Sequence, residues 1–376
     1  MRAVFREDHN IFHGQFRRFV DQEILPFHAQ WERDGIVPKT VWRKAGENGL
    51  LCTMIPEEYG GGGGDFGHSA VVIEELARVN ASGIGFSLHS DIVAPYILAY
   101  GTEEQKARWL PKMASAELIG AIAMTEPGTG SDLKEVRTTA QRVGDNYIIN
   151  GQKTFISNGQ NAGLVIVVAK TDKQAGAKGI SLICVEDGTP GFSKGRNLDK
   201  IGLHAQDTSE LFFEDVRVPV NNRLAEENLG FKYLMHQLAQ ERLIIALRAT
   251  MSTETMLEKT IEYTRERKTF GQPVFDFQNT RFKLAEAKAK VTMLRVFTDH
   301  CLVLHLRRKL TPEMAAMAKL LGTEIQNKLL DDFLQFHGGY GYMTEYLIGR
   351  AWVDARVQRI VGGSSEIMKE IISRTL

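Results

Sequence analysis

Apolar residues fall into three textures along the chain. From the start to about residue 118 they recur every three or four positions, as in SAVVIEELARVN and EEQKARWLPKM, with turn residues between. That spacing predicts helices. Phe12, Phe16, Phe19 and Ile24 place one such stripe near the N-terminus. Between residues 119 and 222 the texture changes to short runs rich in Val, Ile and Phe: IGAIAM, YIINGQKTFIS, GLVIVVAK, ISLICVE and ELFFEDVRV. With Asn150-Gly151 and Gly179 as punctuation, they predict a compact β-domain. From residue 223 to 376 long helices return. Asp276 to Arg307 is one run, and Thr311-Pro312 supplies an N-cap and first-turn proline for another, which Gly338-Gly339 stops. Long helices joined by short turns read as an antiparallel bundle.

One helical stripe contains a residue that does not match its neighbours. In QLAQERLIIALRA, residues 237–249, helical spacing puts Leu234, Leu238, Glu241, Ile245 and Arg248 on one face. A carboxylate buried among leucines loses its hydration, so it is paired, protonated, or kept for chemistry that needs a raised pKa. An ion pair with Arg248 is the ordinary explanation. Arg242 lies about 100° round the helix, where the ordinary reading is an exposed arginine.

Composition narrows the classes. Lys plus Arg and Asp plus Glu number 46 each, so no long-range field favours nucleic acid or an anionic membrane. Cys52, Cys184 and Cys301 are isolated and lack CxxC spacing, which predicts a reducing compartment and no structural metal. The charged N-terminus does not read as a signal peptide, and no apolar run approaches the roughly 18 residues of a membrane span. The expected location is cytoplasmic. Gly60 to Gly64 have no GK[ST] after them and read as a flexible connector, not a phosphate loop. No repeat or low-complexity tract is present.

AIAMTEPGTGSD, residues 121–132, leaves a strand for a loop dense in Gly, Pro and hydroxyls, and GQKTFISNG sets Phe155 near Ser157 on a strand. Alone, a β-turn and core packing account for them. Taken in order, TEPGTGSD, NGQKTFISNG, RERKTFG, QFHGGYGY and GGSSEIMKEII resemble the acyl-CoA dehydrogenases over nearly the full length. HAQDTSELFFEDVRVP, LAQERLIIA and VDARVQRIVGGSSEIMKE are most similar to the long-chain type.

The resemblance implies a mainly α fold with a central β-domain: an N-terminal helical domain (1–118), a β-barrel-like middle domain (119–222) and a C-terminal four-helix bundle (223–376). It implies FAD between the last two. Ile122, Met124, Thr125 and Ser131 would line the pyrimidine side and N5 of the flavin, with Phe155 and Ser157 over the opposite face, where relatives more often have Trp and Thr. Arg267, Thr269, Phe270 and Gln278, with Gln335, Gly338 and Gly339, match contacts to the cofactor of a neighbouring subunit. Ser364 and Glu366 would touch its adenosine part. A homo-oligomer, a tetramer built as a dimer of dimers, follows from the same resemblance.

Many members carry the catalytic carboxylate where this chain has Gly362; in the long-chain and isovaleryl types it comes from the position of Glu241. The resemblance thus makes Glu241 the base that takes the α-proton of a saturated acyl-CoA while hydride passes to flavin N5, giving trans-2-enoyl-CoA. Glu366 is a second possible base. Ser131, Arg242, Gly362, Gly363 and Arg374 match substrate contacts, and electron-transferring flavoprotein is the implied acceptor. Ala239 stands where long-chain relatives often have proline, so medium, branched or terpenoid-like acyl groups remain open. A flavin oxidase or monooxygenase on the same scaffold, and a non-catalytic scaffold protein, are the alternatives.

Overall fold

The computed structural model describes residues 2–376. Its N-terminal part holds helices α1 (Glu7–Phe19), α2 (Leu25–Asp34), α3 (Lys39–Glu47), α4 (Phe66–Arg78), α5 (Ala94–Tyr100) and α6 (Glu103–Ala114). The stripe predicted near the N-terminus is buried: Phe16, Phe19 and Ile24 join Trp42, Leu76 and Phe86 in one core. Two π-helical turns, Val20–Ile24 and Leu88–Val93, interrupt the helices, and a proline follows each, Pro26 and Pro95. Proline has no N–H for the carbonyl four residues back, so the backbone before it widens to five-residue bonds, Leu25 N to Val20 O and Ala94 N to His89 O. Periodicity alone reads straight through both.

The glycine run expected as a flexible connector is a folded-back loop. The amides of Gly62, Gly63 and Gly64 donate to the carbonyls of Cys52, Ile55 and Thr53. A Cβ on Gly61 would stand 2.2 Å from the Ile55 carbonyl oxygen, so glycine serves close approach there.

Seven strands follow: β1 (Gly120–Ala123), β2 (Thr139–Val143), β3 (Asn146–Ser157), β4 (Leu164–Lys170), β5 (Ile180–Glu186), β6 (Phe192–Asn197) and β7 (Thr208–Pro219). They form one curled sheet in the order β1-β4-β2-β3-β7-β6, with β5 also on β4. Strand β4 is covered on both faces, which explains its unbroken apolar run. Leu164, Ile166 and Val168 face the core shared with the helical part, and Val165, Val167 and Ala169 face the other core.

The chain then enters α7 (Gly230–Glu266), α8 (Gln278–Leu306), α9 (Pro312–His337), α10 (Leu347–Arg356) and α11 (Ser365–Ser373). Thr311 caps α9 by accepting from Met314 N, and Gly338 ends it at φ 57°. Helix α7 packs against α8 and α9 and also against α4. Arg295 of α8 fastens this junction, pairing with Glu74 of α4 and Glu254 of α7, while Arg2 pairs with Glu74 and Asp299. No helix among the described residues is long and apolar enough to cross a membrane. All three cysteines are buried and unpaired.

Candidate active site

Glu241 lies in the wall its spacing predicts, 8% exposed beside Leu234, Leu238 and Ile245. Its hydrogen-bond partner among the described residues is neutral: the Tyr96 hydroxyl of α5 donates to it at 3.1 Å. Burial pushes its pKa up from 4.5 to about 7, against the opposing pull of the Tyr96 hydrogen bond and the Arg242 charge. Arg248, the ordinary ion-pair partner, faces the buried Asp91 instead, whose pKa burial also raises to about 7. Arg242 is not the exposed arginine of the ordinary reading. It is 5% exposed, its Nε lies 3.4 Å from the Gly362 carbonyl, and burial lowers its pKa.

That contact joins α7 to the loop before α11. Gly362 and Gly363 have φ of 66° and 98°, and a Cβ on Gly362 would stand 2.5 Å from Cδ1 of Ile245. Lys319, buried on α9, donates to the Gly363 carbonyl at 2.7 Å, its pKa lowered to about 8 mainly by burial and next by Arg242. Ser364 caps α11 by accepting from Ile367 N. Glu366 is exposed in the first turn, its carboxyl held below the ordinary range by backbone and Ser364 hydrogen bonds, a poor setting for a base that must gain a proton near neutrality. Arg374, at the far end of α11, is exposed and bonded to Glu370.

The two β-segments singled out in the sequence meet across the sheet. Lys153, buried, donates to the carbonyls of Met124 (3.0 Å) and Val168 (2.7 Å) and to Glu126 (2.9 Å). Thr154 N donates to the Thr125 carbonyl. Ile122 pairs with Ile166, and Ser131 is exposed in the loop that follows. Phe155 sits where the β3–β7 register shifts, at φ 59° and 67% exposed, with Ser157 two residues on, paired with Thr208. A bulky residue in the left-handed region is costly and persists only where its surroundings fix it. An aromatic face held out of the core in this way suits a planar ring system.

The remaining predicted cofactor residues lie elsewhere. Arg267 ends α7, its guanidinium 5.8 Å over the Tyr340 ring, and joins Thr269 and Phe270, which is 92% exposed. Gln278 opens α8, and Gln335, Gly338 and Gly339 lie at the end of α9, where a Cβ on either glycine would meet nothing within 4 Å. Along α7, Arg267 stands about 39 Å from Glu241 at about 1.5 Å per residue. One chain therefore gathers these residues into two separate groups. Tyr96, Lys319 and Lys153 escaped the sequence reading: each acts through a partner remote in sequence, and only the position of Lys153 inside NGQKTFISNG hinted at a role.

The N-terminal, middle and C-terminal domain profiles of the acyl-CoA dehydrogenases match residues 6–117, 121–216 and 228–376. The chain is 52% identical over 378 residues to the mitochondrial long-chain specific acyl-CoA dehydrogenase of Sus scrofa, covering 100% of this chain and 88% of that one. Among solved structures it is similar to an acyl-CoA dehydrogenase from Geobacillus kaustophilus, with TM-score 0.98, 48% identity, and coverage of 100% and 99%. It is also similar to a Mycobacterium smegmatis glutaryl-CoA dehydrogenase in complex with FADH2, with TM-score 0.92, 28% identity, and coverage of 99% and 95%.

Proposed function

This chain belongs to the acyl-CoA dehydrogenase family, FAD-binding oxidoreductases that act on the CH–CH bond of acyl-CoA, and from that premise we propose that Glu241 is the base that takes the α-proton. The observation that carries this is a buried carboxylate with no ion pair among the described residues and a pKa of about 7. Such a group is ionised for much of the time at neutral pH yet basic enough to accept a proton from carbon. An enolate forming at the thioester needs a donor at its oxygen, and the Gly362 N–H is suited to this, one helical turn from Glu241 through Ile245. Arg242 and Lys319 hold that loop by its two carbonyls. Bound FAD supplies the acceptor for the hydride that leaves C3.

Residues 122–131 and 155–157 would hold the flavin, with Ser364 and Glu366 toward the adenosine; Ser131, Gly363 and Arg374 are the proposed CoA contacts. Their setting supports the fit, since Phe155 offers an exposed ring from a bulge and the TEPG loop is anchored by Lys153. Arg267, Thr269, Phe270, Gln278, Gln335, Gly338 and Gly339 would serve a neighbour's cofactor. Their distance from Glu241 and the exposure of Phe270 support a homo-oligomer, which the family resemblance makes a tetramer in our reading. Electron-transferring flavoprotein is the proposed acceptor. The unpaired cysteines support a reducing compartment, the cytoplasm in our reading.

Anaerobic mixing with saturated acyl-CoAs of graded length tests the proposal: the flavin absorbance should bleach with at least one. Glu241→Gln should keep its yellow colour and bleach about a thousandfold more slowly, or slower still. A near-normal rate in that variant would move the base elsewhere.

A further inference from the structure

Beyond Glu241, the segment of Leu88–Val93 with α5 runs antiparallel to α7. Tyr96 meets Glu241, Gln240 donates to the Asp91 carbonyl, and Ser87 shares a cavity with Arg248 and Ser252. Asn80 in the turn after α4, Gln326 of α9 and Gln358 in the 3-10 turn after α10 line the same cavity. These three side chains are 7%, 1% and 6% exposed. Yet Asn80 Nδ2, Gln326 Oε1 and Gln358 Oε1 have no hydrogen-bond partner among the described residues. Arg248, which senses Asp91 through space, is engaged by no hydrogen bond among the described residues. Unmet donors and acceptors in a protein interior are costly, and here three residues that carry one line a single cavity beside the half-buried Arg248.

We propose that this cavity receives the far end of the acyl chain and is built for a terminus carrying a hydroxyl group. The inference rests on Glu241 as the base, because that fixes where C2 lies. Arg248 is seven residues further along α7 on the same stripe, about 10 Å away, the advance of about eight extended carbon–carbon bonds. A chain of about ten carbons therefore brings its end to Arg248. A hydroxyl can accept from Arg248 or Asn80 Nδ2 and donate to Gln326 or Gln358 Oε1, serving both kinds of group at once. A methyl end leaves all of them unmet. A carboxylate end suits Arg248 but meets Asp354, which also lines the cavity, and two acceptor oxygens.

The holoenzyme is assayed with decanoyl-CoA, 10-hydroxydecanoyl-CoA and the mono-CoA ester of decanedioic acid. The expected result is a kcat/KM for the hydroxylated ester at least about tenfold above that for decanoyl-CoA, because a site that hydrogen-bonds a hydroxyl discriminates against its absence. Arg248→Leu and, separately, Gln326→Leu should each pull that ratio towards one or below it, with flavin content reporting whether the variant is folded. Equal or better turnover of decanoyl-CoA by the wild type overturns the inference, as a cavity that holds only water would give. So does a preference that survives both substitutions, or a best rate with the dicarboxylic ester. Turnover of decanoyl-CoA without discrimination sinks this inference alone, whereas flavin that no ester bleaches removes the assignment of Glu241 with it.

Discussion

A base with a pKa near neutrality makes the rate depend on pH in one direction. Glu241 accepts a proton only when ionised, and burial sets its midpoint at about 7. In the free enzyme kcat/KM should therefore climb about tenfold per pH unit below 7 and level off above it. A steady-state profile checks this, and a limb near the ordinary glutamate value would show the carboxylate to be hydrated. That Glu241 is buried was legible from helical spacing alone. Its partner was not, because Tyr96 comes from a different helix and nothing in HSDIVAPYILAY marks one tyrosine over another. Spacing alone left open whether Arg242 is exposed; it is buried, because α7 packs against α4, α8 and α9.

Among the elements, the loop before α11 depends most tightly on residue type. Gly362→Ala would need a left-handed backbone and a Cβ 2.5 Å from Ile245. The expected cost is about 1 to 3 kcal/mol of stability, with a larger fall in kcat than in KM as the loop's N–H shifts. Urea unfolding and steady-state kinetics on the same preparation separate the two effects. The motif showed that these glycines matter, but not that Ile245 confines one and Lys319 holds the other. Elsewhere the local pattern missed features set by single backbone groups: the two π turns before prolines, the packed glycine loop, and the bulge that turns Phe155 outward. Apolar periodicity records which face is buried and is blind to a missing N–H or an added residue in a ladder.

For the whole molecule, the order helices, sheet, bundle could be read from texture, because each part has its own period. How the parts lock together could not. Arg295 pairs with Glu74 on α4 and Glu254 on α7, three charges remote in sequence. Arg295→Met should destabilise the protein by about 3 to 5 kcal/mol, since it strands the buried Glu74, though Arg2 remains as a second partner. Chemical denaturation measures it, and a change under 1 kcal/mol would mean that Arg2 compensates. Helix α7 runs unbroken for 37 residues, with Glu241 about a third of the way along and the Arg267 turn at its far end. Adding or deleting one residue between them would swing one end by about 100° relative to the other. Substitutions there alter neighbours singly, but an indel throws both ends out of phase together. In the evolutionary record of this chain, the number of residues between Glu241 and Arg267 should stay constant even where their letters change.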